Sequence, residues 1–342
     1  PVRVLLLHLD GKLPNVALMR IAAHHRELGD DVELRRAGNL RSLEPRLWDQ
    51  HDLVYGSLIF ERSRPLAERL LEARPGAIVG GTGWEVSSSL EACGIKATEQ
   101  DYSVYPRFES SVGFLQRGCR LRCPFCVVPR KEGAVRHEQT VSELWRGDPW
   151  PRQLLLLDND FFGNPQWRDR IDEIRGGDFK VSFSQGINAR AIGKEEAEAI
   201  ASVNYRDDGM KVKRIYTAWD NRKDEKRLFR GLQLLVDAGV RPRDIMVYIL
   251  IGYWPGETAE DREHRRAQLR AFGAVPYPMP FVRTPELVGF QRWVIGAYDK
   301  AIPWDEWTAA RYRPERLGTR SAQPSLLGLI GCLLYTSPSP RD

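Results

Sequence analysis

The sequence predicts an α/β protein, an N-terminal doubly wound parallel sheet followed by a partial (βα)6 TIM-type barrel. Three observations carry that prediction. In residues 1–106, short continuous apolar runs alternate with stretches of helical periodicity, the pattern of parallel strands buried on both faces. Six further strand-and-helix units follow in residues 107–300, an incomplete set, since a closed barrel needs eight. At 342 residues, 42% hydrophobic and 28% charged, the chain can bury more than one core, which excludes a disordered or fibrous protein.

In the first domain, residues 2–7 are a continuous apolar run suited to a buried strand. Residues 15–28 place Leu18, Ile21, Ala22, His25 and Leu28 on one helical face, with Gly29 as the stop. Residues 32–34, 53–60 and 77–79 are the next strands, the last two separated by a helix over 65–72. The alternation predicts βαβ units and a parallel sheet. In the second domain, strands are expected over 111–115, 153–157, 180–183, 214–218, 244–251 and 275–281. Helices are expected over 166–174, 194–202, 224–238 and 259–272, and no short repeat marks a solenoid.

Residues 288–298 are amphipathic and 303–312 are rich in Trp, which reads as a segment that closes the barrel, with a C-terminal extension assigned over 301–331. Residues 332–342, CLLYTSPSPRD, match the translation of a transposase adapter and are set aside as a cloning or read-through scar. Their removal leaves Cys93, Cys119, Cys123 and Cys126, too few for a secreted disulfide scaffold. With no basic-then-apolar leader and no charge-free run long enough for a bilayer, a cytoplasmic protein without a membrane partner is expected. Residues 1–110 carry 14 Lys/Arg against 16 Asp/Glu, and the rest carry 37 against 30, so the positive excess lies in the second part. Arg117, Arg120, Arg122, Arg130 and Lys131 flank the cysteines. A patch of that kind suits nucleic acid or an anionic cofactor, but the aromatic-basic motifs of RNA-binding modules are missing and nucleic acid is disfavoured.

Three cysteines within RGCRLRCPFC, at 119, 123 and 126, directly follow the first barrel strand, where parallel barrels keep their chemistry. Three thiolates hold one metal centre and leave one iron of a four-iron cluster open. Structural zinc with His137 as fourth ligand is the plainer alternative, although zinc ligands usually come as two close doublets. A disulfide leaves one thiol over. No Walker loop, GxSxG or HExxH occurs, so kinase and hydrolase readings fall away.

The spacing CxxxCxxC, with aromatic Phe125 before the last cysteine, resembles the signature of the radical S-adenosylmethionine superfamily. The resemblance implies a [4Fe-4S] cluster on Cys119, Cys123 and Cys126 and Phe125 beside the adenine of S-adenosyl-L-methionine. It further implies reductive cleavage to a 5′-deoxyadenosyl radical, with electrons from a donor such as flavodoxin or ferredoxin. Polar residues also gather after the later strands. By position within the family, Asp158 and Asp160 are candidates for the cofactor's amino group, Gln185, Asn188 and Arg190 for its carboxylate and ribose, and Gly252 for the approach of the adenine. Each has a plainer reading: the aspartates as helix caps, Arg190 paired with Glu195 or Glu196, Gly252 as a turn. The family's frequent Gly-Gly-Glu after the second strand is replaced here by Asp-Asn-Asp. The residues that act on the substrate, and the substrate itself, stay unassigned.

The first domain resembles the cobalamin-binding-like domain that precedes the radical barrel in many relatives, with Asp10-Gly11 after strand one and Gly80-Gly81-Thr82-Gly83 after the last strand. The DxHxxG motif that supplies an axial histidine is missing, since His8 runs into Leu9-Asp10-Gly11 and His24-His25 sit within a helix. Cobalamin is therefore disfavoured, although relatives without that histidine bind it base-off. A radical S-adenosylmethionine enzyme is the leading expectation. Cobalamin-dependent methyl transfer and a non-catalytic iron–sulfur or zinc protein remain alternatives. Cys93, alone in its domain, reads as a buried packing residue.

Overall fold

The computed structural model describes residues 1–39, 43 and 50–311, with the side chains of 309–311 left aside. The C-terminal extension beyond 311 and the adapter-like segment lie outside them.

The N-terminal part opens with β1 (Arg3–His8), α1 (Val16–Glu27), β2 (Asp31–Arg36), β3 (Leu53–Ser57), α2 (Arg64–Ala73) and β4 (Ile78–Gly80). All pairings are parallel and the order is β2-β1-β3-β4, so the chain turns one way from β1 to β2 and the other way to β3 and β4. The apolar run of β1 serves both faces. Val4 and Leu6 pack with Leu18 and Ile21 of α1, while Leu5 and Leu7 pack with Leu66 and Leu70 of α2. Asn15 starts α1 by accepting the N–H of Leu18 at 3.1 Å.

The second part begins with β5 (Ser111–Gly113), then a short antiparallel ladder of β6 (Gln116–Arg117) and β7 (Arg136–His137) that closes around α3 (Val128–Lys131). After α4 (Val141–Leu144) come β8 (Gln153–Leu156), α5 (Trp167–Gly176), β9 (Lys180–Phe183), α6 (Lys194–Ser202) and β10 (Asn204–Tyr205). The chain continues through β11 (Ile215–Trp219), α7 (Glu225–Asp237), β12 (Ile245–Ile251), α8 (Ala259–Phe272), β13 (Val275–Pro280), α9 (Pro285–Ile295) and α10 (Trp304–Arg311). The strands form two parallel sheets, β10-β9-β8-β5 and β11-β12-β13. The sheets meet where the N–H of Ile187, just past β9, donates to the carbonyl of Tyr216 in β11 at 2.8 Å.

Helices cover one face of these sheets. On β8, Leu154 and Leu156 join the large core with Ile171 and Ile174 of α5. The other face turns to the N-terminal sheet and its helix α1: Leu155 and Leu157 pack with Val16 and Met19, and Tyr216, Tyr248 and Met279 pack with Ile59 and Phe60. Asp10 fixes the second of these contacts by accepting the N–H groups of Ile59 and Phe60, each at 2.8 Å.

The strand and helix alternation agrees with the α/β expectation. Two differences have local causes. The first strand of the second part ends at Gly113 because the chain enters the β6–β7 ladder. The amphipathic stretch 288–298 belongs to a helix that starts earlier, at Pro285, because Thr284 caps it through the N–H of Leu287 at 3.3 Å and proline suits a first turn. Among the described residues no helix is long and apolar enough to cross a membrane.

Candidate functional site

The cysteine loop is held at both ends. At its base, buried Glu132 accepts the Gly118 N–H at 3.0 Å and a guanidinium N–H of Arg117 at 2.8 Å. Gly118 adopts φ +83, and a Cβ there would stand 2.3 Å from the carbonyl oxygen of Ala134, so only glycine fits. One residue past Cys119, Arg120 is clasped by Asp160. Cys123 and Cys126 share a tight turn, with the Cys126 N–H donating to the Cys123 carbonyl at 3.0 Å.

Cys119, Cys123 and Cys126 line one cavity of about 160 Å³ at the carboxyl ends of the parallel strands. Phe125, Gln185, Asn188 and Arg190 line the same cavity. Seven of the ten candidates, from the cysteine loop and the segment after β9, thus converge. Phe125 meets Tyr253 edge-on at 5.4 Å and Trp254 at 6.5 Å, joining the cysteine loop to the turn after β12. That turn is anchored by Arg265, 2% exposed, which donates to the carbonyls of Trp219 at 3.2 Å and Leu250 at 2.7 Å and pairs with Glu257.

Burial dominates the electrostatics of the cysteines. Burial pushes the Cys119 thiol up to about 12, helped by Asp160 and the other two cysteines and opposed by the Leu121 N–H on its sulfur at 3.4 Å. Burial also raises Cys123, as does Asp220, while Arg190 opposes them as a hydrogen-bond donor and a charge. Thiols so placed ionise when a metal replaces the lost hydration. Arg190 forms a close ion pair with Asp224 and donates from Nε to Asn188 Oδ1 at 3.3 Å. Its partner is therefore Asp224 rather than Glu195, which pairs with Arg168, or Glu196.

Three candidates do not line the cavity. Asp158, 4% exposed, accepts the N–H groups of Leu115 at 2.8 Å and Gln116 at 3.1 Å and so ties the end of β8 to the approach to the cysteines. Asp160 holds Arg120, and neither aspartate caps a helix. Gly252 has φ +77, donates its N–H to Glu257, and faces Leu287, whose Cδ1 would lie 2.4 Å from an added Cβ. Asn159, between the two inward aspartates in sequence, lines the cavity, as do Asp220, Thr217, Tyr248 and Met279. Strand-like alternation along 158–160 was the signal that Asn159, and not its neighbours, faces the opening.

His137 sits in β7 outside this cavity and is exposed. Cys93 is exposed as well, contrary to the packing role expected from its solitary position, because it ends a short 3-10 turn, Glu91–Cys93, on the surface. His8 is 1% exposed, with Nδ1 2.9 Å from the Tyr105 hydroxyl, and burial lowers its pKa to about 3, so its ring is neutral. His25 lies between Asp30 at 2.8 Å and Tyr55 at 3.1 Å.

Among the described residues no group of three or more His, Cys, Asp or Glu side chains is arranged around a common metal position. The donor set, three soft sulfurs with Arg120 and Arg190 nearby, fits an anionic iron–sulfur group. No protein-family model, curated protein or solved structure matches the chain.

Proposed function

We propose that the chain is a radical S-adenosylmethionine enzyme whose cluster is carried by Cys119, Cys123 and Cys126. The observation that carries this reading is the convergence of the CxxxCxxC cysteines on one cavity with Phe125, Gln185, Asn188 and Arg190. The succession β5-β8-β9 and β11-β12-β13, parallel throughout and joined at Ile187 and Tyr216, supports a partial (βα)6 barrel behind the site. The expected first domain of cobalamin-binding-like type is supported by its strand order.

Cys119, Cys123 and Cys126 would hold the cluster, which would supply one electron to the sulfonium of S-adenosyl-L-methionine for cleavage of its bond to the 5′-carbon, giving methionine and a radical able to abstract hydrogen from a substrate. The chain's own residues have separable tasks. Gln185, Asn188 and Asn159 present hydrogen-bonding groups to an amino acid moiety. Arg190, held charged by Asp224, meets a carboxylate. Asp220, 6% exposed, replaces the aspartates as the acidic group facing the cavity and suits an ammonium. Phe125 and its aromatic neighbours suit an adenine face, and Tyr248 and Met279 keep water from the floor.

Anaerobic reconstitution with iron and sulfide tests the reading. The account predicts a reduced cluster whose electron paramagnetic resonance signal changes on adding S-adenosyl-L-methionine. Zinc uptake without iron, or a signal indifferent to the cofactor, contradicts it.

A further inference from the structure

A second cavity, about 510 Å³, opens where the carboxyl ends of β3 and β4 face the base of the cysteine loop. Its floor is Gly56, Ser57 and Gly80, next to the reversal of strand order between β1 and β3, where parallel sheets receive ligands. The glycines that follow have another duty: Cβ atoms at Gly81 and Gly83 would collide with the backbone of Leu58 and Phe60 at 2.1 and 2.5 Å. Gly80 alone of the three is open, with nothing closer than Ser88 Oγ at 3.9 Å.

The wall carries five cationic side chains and three carboxylates. Two cations are paired, Arg20 with Glu138 at 3.0 Å and Arg117 with Glu132 at 2.8 Å. Lys131, half-buried, directs its ammonium to the carbonyls of Val86 and Ser88, both at 3.3 Å, and makes no ion pair among the described residues. Burial and Arg117 lower its pKa. Arg136 donates to the Glu132 carbonyl at 2.6 Å, and Arg130 at the rim makes no ion pair among the described residues. The excess positive charge, the serine hydroxyls of 87–89 and the open backbone at Gly80 suit a phosphate ester.

Glu132 stands between the two cavities. One carboxylate oxygen receives Arg117; the other receives the Gly118 N–H, next to Cys119, and Asn159 at 3.5 Å, on the wall of the cysteine cavity. An anion drawn to Arg117 competes with Glu132 and loosens that brace.

We propose that the interdomain cavity binds a small phosphate-bearing molecule and that Glu132 transmits its occupancy to the cysteine loop. Neither part depends on the iron–sulfur reading, because binding and thiol accessibility are both measured on the metal-free chain.

Calorimetric titration of the reduced full chain at low salt, with inorganic pyrophosphate and with adenosine diphosphate, tests the site. One saturable site is expected, weakened about tenfold by Lys131→Ala and by Arg130→Ala and unchanged by Arg168→Ala on α5. Arg130→Ala, at an exposed position, guards against misfolding as the cause. Saturating pyrophosphate is expected to speed iodoacetamide alkylation of Cys119 about fivefold or more, read by peptide mass spectrometry. In Glu132→Gln, binding persists and the acceleration disappears. Failure of both phosphates to saturate, or indifference to both cavity variants, overturns the site; so does saturation by hydroxocobalamin in their place. Binding with no change in Cys119 reactivity overturns the coupling.

Discussion

Arg120 and Asp160 form a two-pronged clasp across the site. Nε of Arg120 donates to one carboxylate oxygen at 2.8 Å and Nη2 to the other at 2.9 Å, and the Arg120 N–H adds a third bond at 3.0 Å. The carboxylate is 2% exposed while the arginine side chain is 48% exposed, so the pairing is partly screened. Asp160→Ala is expected to cost about 2 kcal/mol, the scale of hydrogen bonds to a charged group, measured by urea unfolding. It is also expected to lower iron retention about tenfold or more, as loss of an outer brace does at metal sites. Asp160→Asn falls between, since an amide keeps one acceptor.

Asp158 predicts a pH dependence of stability. Burial raises its carboxyl to about 7, against the opposing N–H groups of Gln116 and Leu115, and its Oδ2 has no hydrogen-bond partner among the described residues. Between about pH 4 and 7 the unfolded carboxyl is ionised while the folded one keeps its proton, so stability falls as pH rises through that window and levels off above it. Moving the carboxyl from 3.8 to about 7 corresponds to about 4 kcal/mol at the upper end. Asp158→Asn keeps the acceptor for both N–H groups and removes the titration. Unfolding curves at pH 5 and pH 8 are expected to converge in the variant, with a gain at both that is larger at pH 8.

Two glycines at the base of the cysteine loop differ sharply. Gly118 and Gly133 both have positive φ, +83 and +71, but a Cβ at Gly133 meets nothing within 4 Å whereas one at Gly118 meets Ala134. Gly133→Ala is expected to cost about 1 kcal/mol from backbone conformation alone. Gly118→Ala adds a clash with the main chain, so it is expected to cost more and to impair iron incorporation. Denaturation midpoints and iron content of the two variants check the contrast.

Arg190 carries the charge beside Cys123 and Asp220. Arg190→Gln removes that charge together with the ion pair to Asp224. The apparent KM for S-adenosyl-L-methionine is expected to rise about tenfold, the equivalent of one hydrogen bond to a charged group, with a smaller change in kcat. An unchanged KM places Arg190 outside the cofactor site.

Much of this architecture was legible because long apolar runs and helical faces repeat: α6 and α8 occupy the residues the sequence predicts, and Thr258 caps α8 through the Asp261 N–H at 3.1 Å. The two-residue strands β6, β7 and β10 were not legible, since pairs of residues carry no period. At the site, the spacing of Cys119, Cys123 and Cys126 was visible, as were Gln185, Asn188 and Arg190 in their polar loop. Charge misled at 158–160, where the two aspartates turn inward to backbone and Arg120 and the neutral Asn159 faces the cavity. Asp220 was hidden for a different reason. Its place beside Arg190 and Cys123 depends on β11 lying next to β9, a long-range neighbour relation that no local pattern records.

The central claim meets its most direct measurement in cofactor cleavage. Reconstituted protein, dithionite and S-adenosyl-L-methionine are incubated without oxygen, and 5′-deoxyadenosine is quantified for wild type and Cys123→Ala. The account predicts that wild type accumulates 5′-deoxyadenosine and that Cys123→Ala, lacking one thiolate of the trio, forms none above the protein-free control. An iron-loaded wild type that yields no 5′-deoxyadenosine, or a variant that yields as much as wild type, contradicts it.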